Sequence, residues 1–271
     1  MEYKKPLTVC EQIEYLKKSK RITYIIDDKL TAKEVLYTNN YINVISPFKY
    51  IFAKKDNTGK PLKNNGCHVY PRTIDFSEYS QKYYAERSKY PLLYMAISNF
   101  ETHFNAILSN EILCYYKIDS REQFDTFLDN LKENTSKYSF NKVPEKNNNI
   151  QKHMIAEISK FSDYIEKYNS PYIFMDRLSL SELVAVYKTC DIQLGNKVFS
   201  ELLKRKMVLD YTRKTDFDNM LTLLIPIRNC IMHSNSITVL TRYYNIKDKE
   251  LRSQSDKKRY ENLISKLLSN A

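Results

Sequence analysis

The chain has 271 residues, a formal net charge of +11 and 42% hydrophobic residues, enough to bury a substantial core as one large domain or two intimate halves. With 28% of its residues charged and no apolar run long enough to span a bilayer, it excludes a membrane-spanning helix. The start, MEYKKPLTVC, lacks the apolar centre of a secretory signal, and the five cysteines (Cys10, Cys67, Cys114, Cys190, Cys230) are odd in number and scattered, so reduced thiols in a cytoplasm are expected.

The charge has two readings: a surface that attracts nucleic acid or an anionic membrane, or a Lys-rich composition with no bound partner. Twenty-three tyrosines and no tryptophan likewise suit either stacking on unpaired bases or packing between helices.

Only three glycines, Gly59, Gly66 and Gly195, are present, too few for the positive-φ turns of a strand-rich fold, so helices are expected throughout. In chain order, Thr8 with Glu11 forms the first capping box, followed by Val9, Ile13 and Leu16 at helical spacing. Short strands are possible around residues 22–26, and Thr31 with Glu34 predicts a second helix start. Residues 55–73, with Gly59, Pro61, Gly66 and Pro71, read as a loop. Pro91 suits the first turn of a helix over 90–114, whose Leu93, Ile97, Phe100, Phe104, Ile107 and Leu108 form a continuous apolar stripe. Ser120 with Gln123 and Ser179 with Glu182 predict two further starts. Between them, residues 134–149, with Pro144 and three consecutive asparagines, read as a loop separating an N-terminal half of about 1–133 from a C-terminal half of 150–271. Helical patterns continue through 150–168, 197–210, 214–233 and 256–269, with Gly195 expected to separate two of them.

The segment MLTLLIPIRNCIMHSN, residues 220–235, carries the candidate chemistry. Its apolar positions cover most of the helix circumference, which predicts a buried helix, yet Arg228, Asn229 and His233 interrupt them. A guanidinium in such a place needs a carboxylate or a phosphate. Pro226 removes one backbone hydrogen bond and should kink the helix near Arg228. Asn229 and His233 share a face, whereas Arg228 lies about 140° around from His233, so one groove holds both only if it is wide or shared with a second subunit.

Such a group can cleave RNA without a metal. Imidazole exchanges a proton with the ribose 2′-hydroxyl or the leaving 5′-oxygen near neutral pH, arginine holds the phosphate, and asparagine orients either. Attack by the 2′-hydroxyl leaves a 2′,3′-cyclic phosphate, which restricts the substrate to RNA. Arg-x4-His also arises by chance in many helical proteins. No zinc-type spacing surrounds His68 or His153, and no phosphate-binding glycine loop is present, so neither a metal nor a cofactor is expected. The run Lys257, Lys258, Arg259 suits either a phosphate backbone or a solvated helix face.

The stretches KKPLTVCEQIEYLKK, LTAKEVLYTNNYINVISPFKYIF, the helix around Ile97 to Phe104, FMDRLSLSELVAVYK and RNCIMHSN occur in the order found in bacterial abortive-infection proteins, and over most of its length the chain resembles the AbiD/AbiF-like family. The resemblance implies an all-α fold, a HEPN-type helical bundle with additional N-terminal helices, in which two protomers or two halves build a composite groove around paired Arg-Asn…His motifs. It also implies antiphage defence through RNA cleavage or RNA binding, with a homodimer, a cognate structured noncoding RNA and an antitoxin as expected partners. Relatives carry an acid near Glu101, which implies a pairing with Arg228 at rest; alone, Glu101 beside His103 is an ordinary helix-flank position. Relatives follow the motif histidine with a second histidine and then an arginine, where this chain has Ser234 and Ser236. Ser234 can donate a hydrogen bond in support of the site but carries no charge. An endoribonuclease with Arg228, Asn229 and His233 is therefore the leading expectation; a non-catalytic RNA-binding defence protein and a protein-interaction module are the alternatives.

Overall fold

The computed structural model describes residues 7–23, 28–57, 59, 61–64, 67–137, 171–207, 211–241, 244–245, 250–251 and 254–270. Among them the regular structure is almost entirely helical and the strands are two-residue pairs, so the fold is all-α. The chain forms two compact units, residues 1–94 with 226–269 and residues 95–225.

In the first unit, α1 (Val9–Lys20) opens on the expected box: the Thr8 hydroxyl accepts from the Glu11 amide at 3.3 Å, and the Glu11 carboxylate accepts from the Thr8 amide at 2.7 Å. Two orphan donors of the first turn are thereby satisfied. β1 (Ile22–Thr23) falls where a short strand was expected; residues 24–27 lie outside the described residues. α2 (Asp28–Asn39) starts ahead of the Thr31 expected to begin it, and the Thr31 side chain is not among those described. After the short α3 (Tyr41–Val44) and α4 (Lys49–Phe52), the expected loop 55–73 contains an antiparallel pair, β2 (Lys63–Asn64) and β3 (Cys67–His68). β4 (Ile74–Asp75) pairs in parallel with β1, Ile22 opposite Ile74.

α5 (Phe76–Arg87) begins on a box absent from the sequence reading, Asp75 with Glu78, in which the Asp75 carboxylate also accepts from the Ser77 amide at 2.8 Å. Phe76, Tyr79 and Tyr83 recur at helical spacing and are buried with Leu16, Leu36, Ile45 and Phe48 in one apolar cluster. That spacing gives α5 a single core-facing stripe.

α6 (Tyr90–Tyr115) follows the predicted range closely, with Pro91 in its first turn. In the second unit its Phe100 and Phe104 rings stack at 5.6 Å and meet Phe217, which in turn meets Tyr187 and Phe199. α7 (Arg121–Lys137) starts at the predicted Ser120 and Gln123, which bond reciprocally. It runs into the segment 134–149; residues 138–149, and the helical pattern 150–168, lie outside the described residues. α8 (Pro171–Arg177) leads to α9 (Leu180–Thr189), capped by Ser179 and Glu182 as predicted.

Gly195 does not separate helices. It lies inside α10 (Ile192–Lys204), which replaces the helix expected at 197–210. The start is set upstream, where the Asp191 carboxylate accepts from the Gln193 amide at 2.7 Å. Burial of Leu194, Val198 and Leu202 on one face outweighs the roughly 1 kcal/mol that a mid-helix glycine costs. The helix stops early because Lys206 turns left-handed at φ 57° and the Met207 amide donates back to the Leu202 carbonyl at 2.9 Å.

α11 (Lys214–Met232) is continuous through Pro226. In the first unit, α12 (Thr238–Thr241) packs on α13 (Gln254–Ser269), with the antiparallel β5 (Tyr244–Asn245) and β6 (Glu250–Leu251) between them in sequence. No described helix is long and apolar enough to cross a membrane.

Many tyrosines serve the cores. Tyr79, Tyr90 and Tyr187 are buried, and burial is the first cause raising their phenol pKa values. Tyr70 adds to it at Tyr79, Glu86 at Tyr90 and Asp218 at Tyr187. Each folded pKa lies above its unfolded value, so this contribution to stability is full below about pH 10 and declines above it by about 1.4 kcal/mol per pH unit per tyrosine. Alkaline titration by phenolate absorbance should therefore show these three ionising only as the chain unfolds. Reversible ionisation of all three in a folded chain at pH 10 would contradict that expectation.

Candidate functional site

The sequence predicts a helix buried around most of its circumference, but α11 buries a stripe: Leu221, Leu224, Ile227, Cys230 and Ile231 are inside, while Asn229, Met232 and His233 are exposed. Apolar residues outnumber the positions that one face can cover, which is why Met232 is left 46% exposed. Arg228, next to buried Ile227, is half-buried. Asn229 and His233 lie one turn apart, and the His233 amide donates to the Asn229 carbonyl at 3.1 Å. Their side chains point into solvent and form no hydrogen bond or ion pair with other described residues.

The helix ends at Met232, and His233 is the residue that caps it. Ser234 takes a left-handed φ of 53°, its amide donates to the Ile231 carbonyl at 3.1 Å, and the Asn235 amide donates to the Cys230 carbonyl at 2.7 Å. This is a Schellman closure, which satisfies the last carbonyls and sets the direction in which the chain leaves. Ser234, expected to support the site through its hydroxyl, sets this turn through its backbone. Glycine usually occupies such a position because a Cβ strains it. Ser234→Gly should raise unfolding stability by about 0.5–1 kcal/mol in urea denaturation; a loss of stability would contradict the turn assignment.

α5 and the first residue of α6 hold the segment that follows. Glu86 is buried at 6% exposure, and its Oε2 accepts from the Ser236 hydroxyl at 2.9 Å, the Thr238 amide at 2.9 Å and the Thr238 hydroxyl at 2.5 Å. Tyr90 lies within 3.0 Å of the other carboxylate oxygen and 2.5 Å of the Asn235 carbonyl, either of which its hydroxyl can reach, and it accepts from the Ile237 amide at 3.2 Å. Glu86 thereby caps α12. Next to it, Arg87 donates from Nη2 to the Ser234 carbonyl, and its guanidinium lies over two rings, 5.1 Å from the centre of Tyr83 and 4.7 Å from that of Tyr90.

Sequence reasoning missed Glu86, Arg87 and Tyr90, although one signal was present. Phe76, Tyr79, Tyr83, Glu86 and Tyr90 follow helical spacing, so an acid occupies a core position on an aromatic stripe, where a buried partner is required.

Glu101 belongs to the second unit, half-buried on α6, where it lines a groove of about 570 Å³ with Ser98, Asn105, Tyr172 and Asp176. Lys257, Lys258 and Arg259 sit on the first turns of α13; Lys257 is 3.5 Å from Glu261, and Lys258 and Arg259 are exposed. Among the described residues no group of three His, Cys, Asp or Glu side chains is placed to hold a metal.

A family model described as Abi-like protein matches residues 34–238. The chain belongs to the Abi-like protein family. The matched range starts within α2 and ends at Thr238, so it contains Glu86, Arg87, Tyr90 and the whole Arg228 to His233 motif. No curated protein and no solved structure matches the chain. Membership gives this Abi-like protein an abortive-infection role in antiviral defence.

Proposed function

We propose that this Abi-like protein is a metal-independent endoribonuclease of the HEPN type, with Arg228, Asn229 and His233 as its site. The observation that carries the reading is the end of α11: an exposed imidazole and an exposed amide one turn apart, with a half-buried guanidinium on the same two turns. His233 takes the proton of the ribose 2′-hydroxyl or supplies one to the leaving 5′-oxygen. The 2′-oxygen bonds to phosphorus, the bond from phosphorus to the 5′-oxygen breaks, and a 2′,3′-cyclic phosphate remains. Arg228 holds the phosphate and stabilises the charge it gains. Asn229 orients the phosphate or the imidazole. Because Arg228 and His233 lie about 140° apart around one helix, a groove shared by two copies is the economical way to bring both to one phosphate.

The test is incubation of single-stranded RNA with the protein in EDTA. Cleavage with cyclic phosphate ends is expected from wild type, and near-complete loss from His233→Ala. Equal cleavage by the variant would show that the assigned site is wrong.

A second reading, RNA capture without cleavage, is favoured by one specific feature. Ser234 and Ser236, which follow the motif histidine, are taken up by the Schellman turn and by Glu86, so His233 has no second acid or base beside it in sequence. Salt-sensitive binding of a structured noncoding RNA, with no cleavage under any condition, would select this reading. An antitoxin and a cognate RNA are proposed partners under either.

A further inference from the structure

The geometry points to Arg87 as a second phosphate-binding guanidinium of the RNA site, on the α5 side of the His233 turn. The inference rests on the proposal that RNA binds at the end of α11, and it adds a contact that the motif does not contain.

Three observations carry it. Arg87 is half-buried, yet among the described residues no carboxylate lies within ion-pair distance of it; its neighbours are the Ser234 carbonyl and the faces of Tyr83 and Tyr90. The adjacent carboxylate, Glu86, already accepts from Ser236 and Thr238. A partly desolvated cation held only by a carbonyl and two ring faces keeps a strong attraction for an anion.

Contact with the two rings also restrains the guanidinium. Little side-chain freedom is then lost when a phosphate arrives, and a planar fork can meet two phosphate oxygens at once. Finally, Arg87 bonds the residue directly after His233, so a phosphodiester reached by the imidazole lies beside it. The ligand this arrangement fits is the backbone of single-stranded RNA flanking the cleaved bond.

The experiment measures binding of a fluorescein-labelled single-stranded RNA 12-mer in EDTA across a salt series, for wild type, Arg87→Gln, Arg87→Lys, Lys89→Gln and His233→Ala, with cleavage and thermal melting recorded on the same samples. Arg87→Gln should bind about tenfold to a hundredfold more weakly and flatten the slope of log K against log salt by about 0.7, the loss of one phosphate contact. Lys89→Gln, which removes the same charge from an exposed position two residues away, should stay within about threefold of wild type. Arg87→Lys keeps the charge and loses the fork, so it should fall between the two, and it carries the test if Arg87→Gln melts early. Wild-type affinity and slope in either Arg87 variant that remains folded, or no RNA binding by wild type, would overturn the proposal. If binding depends on Arg87 but wild type cuts no RNA, the endoribonuclease reading fails and the contact stands. If wild type cuts RNA, His233→Ala does not, and the Arg87 variants bind normally, the contact alone fails.

Discussion

Glu86→Ala is expected to destabilise the first unit by about 3–5 kcal/mol, read as the shift of the urea unfolding midpoint. The carboxylate is buried and serves as acceptor for the Ser236 hydroxyl and for the amide and hydroxyl of Thr238. Truncation removes the acceptor while the donors stay inside, and an unsatisfied buried donor costs more than the bond it lost was worth. A cavity adds to the loss. Glu86→Gln keeps the volume and one acceptor oxygen but turns an amide donor toward other donors, so about 1–3 kcal/mol is expected. The same substitutions should speed hydrogen exchange at the Ser234 and Asn235 amides, whose Schellman bonds precede the clamped segment. A loss under about 1 kcal/mol for Glu86→Ala would mean that the carboxylate does not anchor residues 236–238.

His233→Ala should lower RNA cleavage by about 10²–10⁴-fold, the usual contribution of a positioned acid or base. Its side chain is exposed and makes no described intramolecular bond, so melting temperature should stay near wild type and RNA affinity should change little. Arg228→Ala should cost about 10²–10³-fold in turnover, as expected for removing one group that stabilises transition-state charge. Arg228→Lys should recover only part of this, because an ammonium cannot grip two phosphate oxygens in a plane. Losses confined to turnover would mark interactions made in the transition state; losses confined to KM would mark binding alone and favour RNA capture. A His233→Ala variant within threefold of wild-type turnover would remove the histidine from the mechanism.

Helix starts could be read wherever the signal was local. Thr8 with Glu11, Ser120 with Gln123 and Ser179 with Glu182 each bond within three residues, so their geometry follows once a helix forms. The Asp75 and Glu78 box passed unnoticed, although it obeys the same rule with an acid as cap. Gly195 misled because glycine is a breaker only when the residues around it gain nothing from a helix, and here Leu194, Val198 and Leu202 gain burial. The apolar run of 220–235 was too rich to show which face would be covered, so the exposure of Met232 and His233 could not be anticipated from periodicity.

The chain's own order of residues determined the all-α class, three of the capped helix starts, the long α6 and the placement of Asn229 and His233 on one face of α11, since each depends on backbone bonds or side-chain spacing within a few turns. Tertiary structure alone decided what holds the segment after the motif. The acid at Glu86 stands out on its aromatic stripe, but the Ser236 that bonds it is 150 residues away in sequence. Likewise Arg87 reaches the Ser234 carbonyl across 147 residues. Burial of a charged or polar group demands a partner without naming one, and only the packing of α5 against the turn after His233 supplies it.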